Sequence, residues 1–307
     1  MSSEWDFFAP GRLALLAGAN GADLLHAHAS LAHGLAWRTL RRAPRALLVV
    51  TRRVDFAVGG NWLSRAKYRN PRTRYIAISS GVRQALEQGG VAPDRIATVP
   101  SGIDAGRFSG QYGRQDLLDE FHLPPETFIV GNIAALTDHK GQCYLIDAAK
   151  FVLDAHPNAF FLIAGEGELR VALESQIRRL GLGGRVVLTG FRRDIEKILA
   201  GIDLFAVSSH LEGLCTSLLD AMHFGKPAVG TRVGGVVDAI EPERSGLLVP
   251  ARDPRALANA ICRMIEQPET RARFGAAARR IAGERFTAES MVEGTAKAYD
   301  RFLAERR

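Results

Sequence analysis

Short apolar runs alternate along this chain with stretches whose apolar positions recur every three to four residues. The first pattern fits strands buried on both faces, and the second fits helices with one covered face. In the first third the pattern predicts strands at 23–26, 46–51, 75–78 and 96–99, with helical stretches such as 80–88 between them. From Thr127 the alternation restarts with a strand at 128–134, a helix at 141–155, a strand at 160–164, a helix at 169–180 and a strand at 186–189. A strand at 204–207, a helix after Leu214 and strands at 227–231 and 246–249 follow. This alternation predicts an α/β protein with parallel sheets covered by helices. The polar stretch 109–125 lacks a strong strand and reads as the connection between two domains. The last stretch, 287–307, reads as a helix able to pack back across the domain boundary.

The 307 residues are enough for two separate cores. With 47% hydrophobic and 24% charged residues, the composition is that of a soluble globular protein. No apolar run reaches the roughly 18 residues that a membrane-spanning helix needs. The opening residues carry early acids, no basic region and no cleavage site, so they do not read as a signal peptide. Cys143, Cys215 and Cys262 are widely spaced and form neither a zinc pattern nor a disulfide framework. They read as packed thiols in a reducing cytoplasm.

The net charge of +7 is concentrated: between Arg38 and Arg74 stand eleven Lys or Arg residues and one acid, Asp55. Such a stretch attracts phosphates, anionic lipid heads or nucleic acid, and reads equally as a solvated arginine-rich face. Nucleic acid is the poorest fit, because no groove-entering helix motif or run of stacking aromatics accompanies it.

Ligands of open parallel sheets bind beyond the carboxyl ends of the strands, and the candidate chemistry lies there. In residues 210–235, Glu212 falls just before a predicted helix and Asp220 about one turn inside it. The backbone N–H groups near Thr216 and Ser217 start that helix and are free to bind an anion. Carboxylates that accept from hydroxyls, beside an anion hole, suit a sugar attached to a phosphate. Residues 137–141 bring Lys140 to a helix start, where it meets a diphosphate as a point charge or stands as a surface lysine. Gly165 and Gly167 allow close backbone approach, while Glu166 and Glu168 read as helix N-terminal carboxylates. In residues 190–193, Phe191 is a candidate to hold a base by its backbone, with Arg192 or Arg193 near the phosphates; a solvated arginine pair reads as well. His26 and His28 end a strand, and no further ligand at metal spacing completes a site. Ser79 and Ser80 read as helix caps. No GxGxxG follows the first strand, which argues against a nicotinamide dehydrogenase.

The segments GNIAALTDHKGQ, IAGEGEL, LTGFRRD and EGLCTSLLDAMHFGKPAVGTRVGG resemble the retaining glycosyltransferases of family 4, which have the GT-B fold. The resemblance is continuous over 130–286 and looser in the first half, through DLLHAH, IAISSGVR and VPSGIDAGRF. It implies two Rossmann-like domains facing across a cleft: an acceptor-side domain at 1–123, a nucleotide-sugar domain at 124–286, and a helix at 287–307 returning toward the first. It implies metal-independent transfer, without a cofactor, from a nucleotide-diphosphate sugar, with UDP favoured, to a glycan or lipid-linked acceptor. The implied pathway is a cell-surface polysaccharide or lipopolysaccharide. The implied location is the cytoplasm, peripheral on the inner membrane face, with the stretch from Arg38 to Arg74 as the candidate contact to anionic lipid.

The family hallmark is Glu, seven residues, Glu. By resemblance Glu212 contacts the sugar hydroxyls, and Asp220, one methylene short, holds the ribose. Lys140 matches the family's diphosphate lysine. Ala135 stands where the family's arginine is expected, leaving His139, Arg192 or Arg193 as substitutes. His28, with His26 as alternative, matches a histidine that reaches the sugar. Gly165, Phe191, Gly213, Leu214, Thr216 and Ser217 complete the implied donor site.

Family members begin with a strand, a glycine-rich loop and a long helix that this chain lacks, so its first domain reads as incomplete. Met1 then reads as an internal methionine and 3–9 as a mid-domain loop, with a truncated gene or completion by a partner as alternatives. Two other functions compete. One is a catalytically impaired binding relative, which Ala135 and Asp220 favour. The other is a UDP-sugar epimerase, which EGLCTSLLDAM disfavours.

Overall fold

Each apolar run of the first third becomes a strand of one parallel sheet. The computed structural model describes residues 8–305 apart from Asn61. The chain divides into one unit of residues 1–101 with 289–307 and another of residues 102–288. In the first unit, β1 (Leu24–Ala27), β2 (Leu47–Arg52), β3 (Thr73–Ala77) and β4 (Ile96–Thr98) lie in that spatial order, all parallel. All six residues of β2 are buried, as a strand covered on both faces requires. Helices α1 (Ala9–Ala19), α2 (Ser30–Thr39), α3 (Trp62–Tyr68) and α4 (Ser80–Gln88) precede and link the strands. The Ser79 hydroxyl caps α4, accepting from the Val82 N–H at 3.2 Å.

The second unit opens with α5 (Arg114–Glu120) and continues through β5 (Phe128–Ile133), α6 (Gln142–Ala155), β6 (Ala159–Ala164), α7 (Arg170–Arg179) and β7 (Val186–Gly190). Then come α8 (Ile195–Gly201), β8 (Leu204–Val207), α9 (Thr216–His223), β9 (Ala228–Thr231), α10 (Val236–Ala239), β10 (Gly246–Val249), α11 (Pro254–Glu266) and α12 (Pro268–Arg285). The six strands are parallel, in the order β10-β9-β8-β5-β6-β7. Val130, Phe161, Ile163, Leu204 and Val229 of the sheet share one core cluster with Leu145 and Ile146 of α6 and Ile261 and Met264 of α11. The chain's last helix, α13 (Ala288–Ala304), puts Ala298 and Phe302 against Leu47, Val49, Ile76 and Val99 of the first unit.

The stretch 109–125 corrects one expectation. It is not a bare connection but carries α5, whose Leu117 and Leu118 are buried. Arg114 ties it down through Asp203 at 2.7 Å and the Thr127 carbonyl at 2.6 Å. Glu196 accepts from the amides of Ser109 at 3.0 Å and Gly110 at 2.5 Å. The segment therefore belongs to the second unit, which begins at Gly102 and not at 124. Of the stretch 3–9 read as a loop, residues through 7 lie outside the described residues, and Ala9 opens α1.

Candidate functional site

Chain order reverses at β5: β6 and β7 follow on one side, β8, β9 and β10 on the other. In an open parallel sheet such a reversal marks a crevice at the carboxyl edge, here between the loops leaving β5 and β8. Below the crevice the two loops are stitched together. The Ser208 hydroxyl donates to the Lys140 carbonyl at 3.0 Å, and the His210 N–H donates to the His139 carbonyl at 2.9 Å. Gly141 adopts φ +63°, and a Cβ there would run into the Ser208 carbonyl. Only glycine allows so close an approach of the loops.

This stitching brings Lys140 and Glu212 together. Lys140 ends the tight turn Asp138–Lys140, and Glu212 lies in the loop before α9. Lys140 Nζ is 2.6 Å from Glu212 Oε2, with side chains 19% and 6% exposed. The Ser209 hydroxyl donates to the same oxygen at 3.1 Å, and the Glu212 carbonyl accepts from the Gly235 N–H at 3.0 Å. A carboxylate this desolvated is tolerated because it is paired and hydrogen-bonded. The crevice thus holds an oriented carboxylate and a cation able to turn toward an anion.

Eight residues on, Asp220 is 4% exposed within α9. Burial pushes its carboxyl above the usual range, and the Arg107 guanidinium, paired with it, pulls the other way. At the start of α9 the amides of Thr216 and Ser217 lie in the first turn, where no intrahelical acceptor exists. Thr216 is exposed, whereas the Ser217 hydroxyl is committed to the Ile133 carbonyl at 2.7 Å, which fastens α9 to the end of β5. Gly213 and Leu214 are buried beneath. Burial, with Glu212 nearby, pushes the Cys215 thiol up to about 11, so it stays a protonated, packed thiol. Gly165 has φ +150° and would collide with the Ala134 carbonyl if it carried a Cβ, so the ends of β5 and β6 meet backbone to backbone. Phe191 is 71% exposed, and His139 Nδ1 lies 3.3 Å from the Thr137 hydroxyl.

Arg192 is engaged by two carboxylates. Four of the five N–H donors of its guanidinium are spent on Glu120 and Asp194. Those bonds raise its own pKa and hold the Glu120 carboxyl low. It clamps α5 beside the entry to α8. Sequence reasoning missed Arg107, which no local pattern marks as a partner of Asp220.

In the first unit His26 bonds the Tyr299 hydroxyl through Nδ1 and the Thr51 hydroxyl at 2.8 Å through Nε2. Its ring centre lies 3.9 Å from that of His28, which is exposed. Burial, with His28 and Arg53 adding repulsion, lowers the His26 pKa to about 4. These residues line a cavity of about 310 Å³ with Ser101 and part of α13. Among the described residues no group of three or more His, Cys, Asp or Glu is arranged to hold a metal ion. None of the described helices is long and apolar enough to cross a membrane.

Part of the basic stretch is structural. Arg52 is buried and bonds the carbonyls of Val54 and Phe56 and the Tyr68 hydroxyl. Arg72 donates to the carbonyls of Leu40, Ala43 and Pro44. Arg41, Arg42, Arg45, Arg53, Arg65 and Arg69 are exposed, and so are Phe56, Trp62 and Leu63, at 48%, 75% and 37%.

Residues 114–281 match the family described as glycosyl transferases group 1, and residues 2–107 match glycosyltransferase family 4. The chain belongs to this family. It is 27% identical over 199 residues to the UDP-Gal:alpha-D-GlcNAc-diphosphoundecaprenol alpha-1,3-galactosyltransferase of Escherichia coli, covering 63% of this chain and 51% of the relative. It is 28% identical over 187 residues to the lipopolysaccharide core biosynthesis glycosyltransferase LpsD of Rhizobium meliloti, covering 61% and 53%. The chain thus spans about half the length of these curated relatives. Anabaena Alr3699/HepE, solved in complex with UDP, superimposes with a TM-score of 0.85 at 25% identity, over 95% of this chain and 81% of that one. The fold is the two-domain GT-B type.

Proposed function

We propose that this chain transfers a sugar from a nucleotide-diphosphate donor, UDP-linked, to a glycan or lipid-linked acceptor, with retention of configuration and without a metal ion. The observation that carries the reading is the Lys140–Glu212 pair at the point where strand order reverses, beside the open start of α9. In this reading Lys140 turns from Glu212 to the departing diphosphate, the α9 amides share its charge, and the freed Glu212 carboxylate accepts from sugar hydroxyls. Asp220 holds the ribose. The relatives named for UDP-galactose transfer to a lipid diphosphate and for lipopolysaccharide core synthesis support this substrate class. The exposed cations and Trp62, Leu63 and Phe56 suit docking on an anionic membrane face. A Trp62→Ser variant that sediments with anionic vesicles as the parent does would refute that docking.

The test is a thermal-shift series with UDP, GDP and ADP, followed by transfer assays with sugars of whichever nucleotide binds. A nucleotide bound only by the native state raises the melting temperature. Glu212→Ala should fold and lose transfer; unchanged turnover in that variant sinks the assignment. Ala135, which offers no charge to a diphosphate, favours a second reading: nucleotide-sugar binding without turnover. Binding with no transfer to any acceptor would select it.

A further inference from the structure

Asp220 is a buried carboxylate, and what keeps it in place comes from far along the chain. Arg107 closes the tight turn Ala105–Arg107, and the Asp104 carboxylate caps that turn by accepting from the Gly106 N–H at 2.9 Å. Next to it, the Phe108 ring lies under the Arg107 guanidinium at 4.7 Å. Phe108 in turn packs edge-on against Phe224 at 4.9 Å and stacks on His223 at 5.9 Å, at the end of α9. On the upstream side, Ile103 bonds the Phe286 carbonyl at 2.8 Å and accepts from the Ala288 N–H at 3.0 Å. The turn is thus fastened at both ends and aims one cation at one carboxylate. Arg107 is 44% exposed and Asp220 6% exposed, so the pair runs from solvent to interior.

We propose that Arg107 is a positioning residue for the nucleotide site: it fixes the charge and orientation of the Asp220 carboxylate so that the free oxygen accepts from ligand hydroxyls. The inference rests on the reading of Asp220 as the ribose-binding carboxylate. Arg107 engages Oδ1, which leaves Oδ2 as the acceptor. The charged and titratable groups that face Asp220 are Arg107 from the turn and His223 from its own helix, with Arg279 of α12 acting on His223. Burial favours the neutral acid, and Arg107 is the main opposing influence. Without Arg107 the carboxyl titrates higher, and a protonated Asp220 is a poorer acceptor for ribose hydroxyls.

The experiment is calorimetric titration of UDP into the full chain, as the parent and as Arg107→Met, Arg107→Lys and Asp220→Asn, from pH 5.5 to 8. The parent should bind with little pH dependence. Arg107→Met should lose about tenfold or more in affinity at the acid end, the scale of one charge-assisted bond. It should regain affinity as pH rises and Asp220 ionises. Arg107→Lys should stay close to the parent, and Asp220→Asn should be weak at every pH. A loss in Arg107→Met that is the same at all pH values, or no loss, overturns the proposal. If Arg107→Met fails to melt cooperatively, Arg107→Gln takes its place under the same criteria. A parent that binds no UDP overturns the donor-site reading and this inference with it. A parent that binds, an Asp220→Asn that does not and an unaltered Arg107→Met overturn only the role of Arg107.

Discussion

Removing one member of the Lys140–Glu212 pair should cost far more than removing the other, because the two side chains are buried unequally. In Lys140→Met the Glu212 carboxylate stays 6% exposed, loses the Lys140 cation and keeps the Ser209 hydroxyl. An uncompensated buried charge costs about 3–5 kcal/mol. The Ser209 bond offsets ~1 kcal/mol of that, which leaves ~2–4 kcal/mol. In Glu212→Gln the amide oxygen still accepts from Ser209, and the Lys140 ammonium, 19% exposed, reaches water. That change should cost about 1–2 kcal/mol. The double variant should lie near Glu212→Gln alone, giving a coupling of ~2–4 kcal/mol. Urea unfolding at pH 7 measures all four proteins, and a 3 kcal/mol loss corresponds to a melting-temperature drop of about 6–12 °C for a unit of this size. Equal losses in the two single variants, or a neutral Lys140→Met, would refute the claim that this is a desolvated pair held at the crevice.

His33 and His26 set the acid limit of the first unit. Burial lowers their pKa values to about 3 and about 4, so between those values and 6.5 the unfolded chain binds protons that the native one refuses. Stability is therefore full above pH 6.5 and falls as pH drops toward 4, with His33 contributing up to about 1.4 kcal/mol per pH unit. His33→Gln and His26→Gln should each flatten the stability-against-pH curve measured by urea midpoints, and an unchanged slope in both would remove the histidines as its cause. Arg192→Ala should lower the unfolding free energy by about 1–3 kcal/mol, since it releases Glu120 and Asp194. UDP affinity should stay within about twofold in that variant; a larger loss would return Arg192 to the donor site.

The strands were legible because a parallel sheet covered on both faces demands continuous apolar runs, and LLVVTR at β2 is such a run. Glu212, Asp220 and the start of α9 stand out in the sequence as candidates because their spacing is local. The pairing of Lys140 with Glu212 does not: the two lie 72 residues apart and meet only because β5 and β8 are neighbours in the sheet. The helix within 109–125 is hidden in the sequence for a physical reason. A seven-residue helix anchored by Leu117 and Leu118 shows too few apolar positions to register as periodic, so the stretch 109–125 read as a connection. With α5 hidden, nothing in the sequence places Glu120 beside Arg192. The same guanidinium beside Glu120 and Asp194 is a structural clamp. Arginines at strand ends should be assigned to phosphate only after the short polar segments upstream have been searched for the carboxylates that claim them.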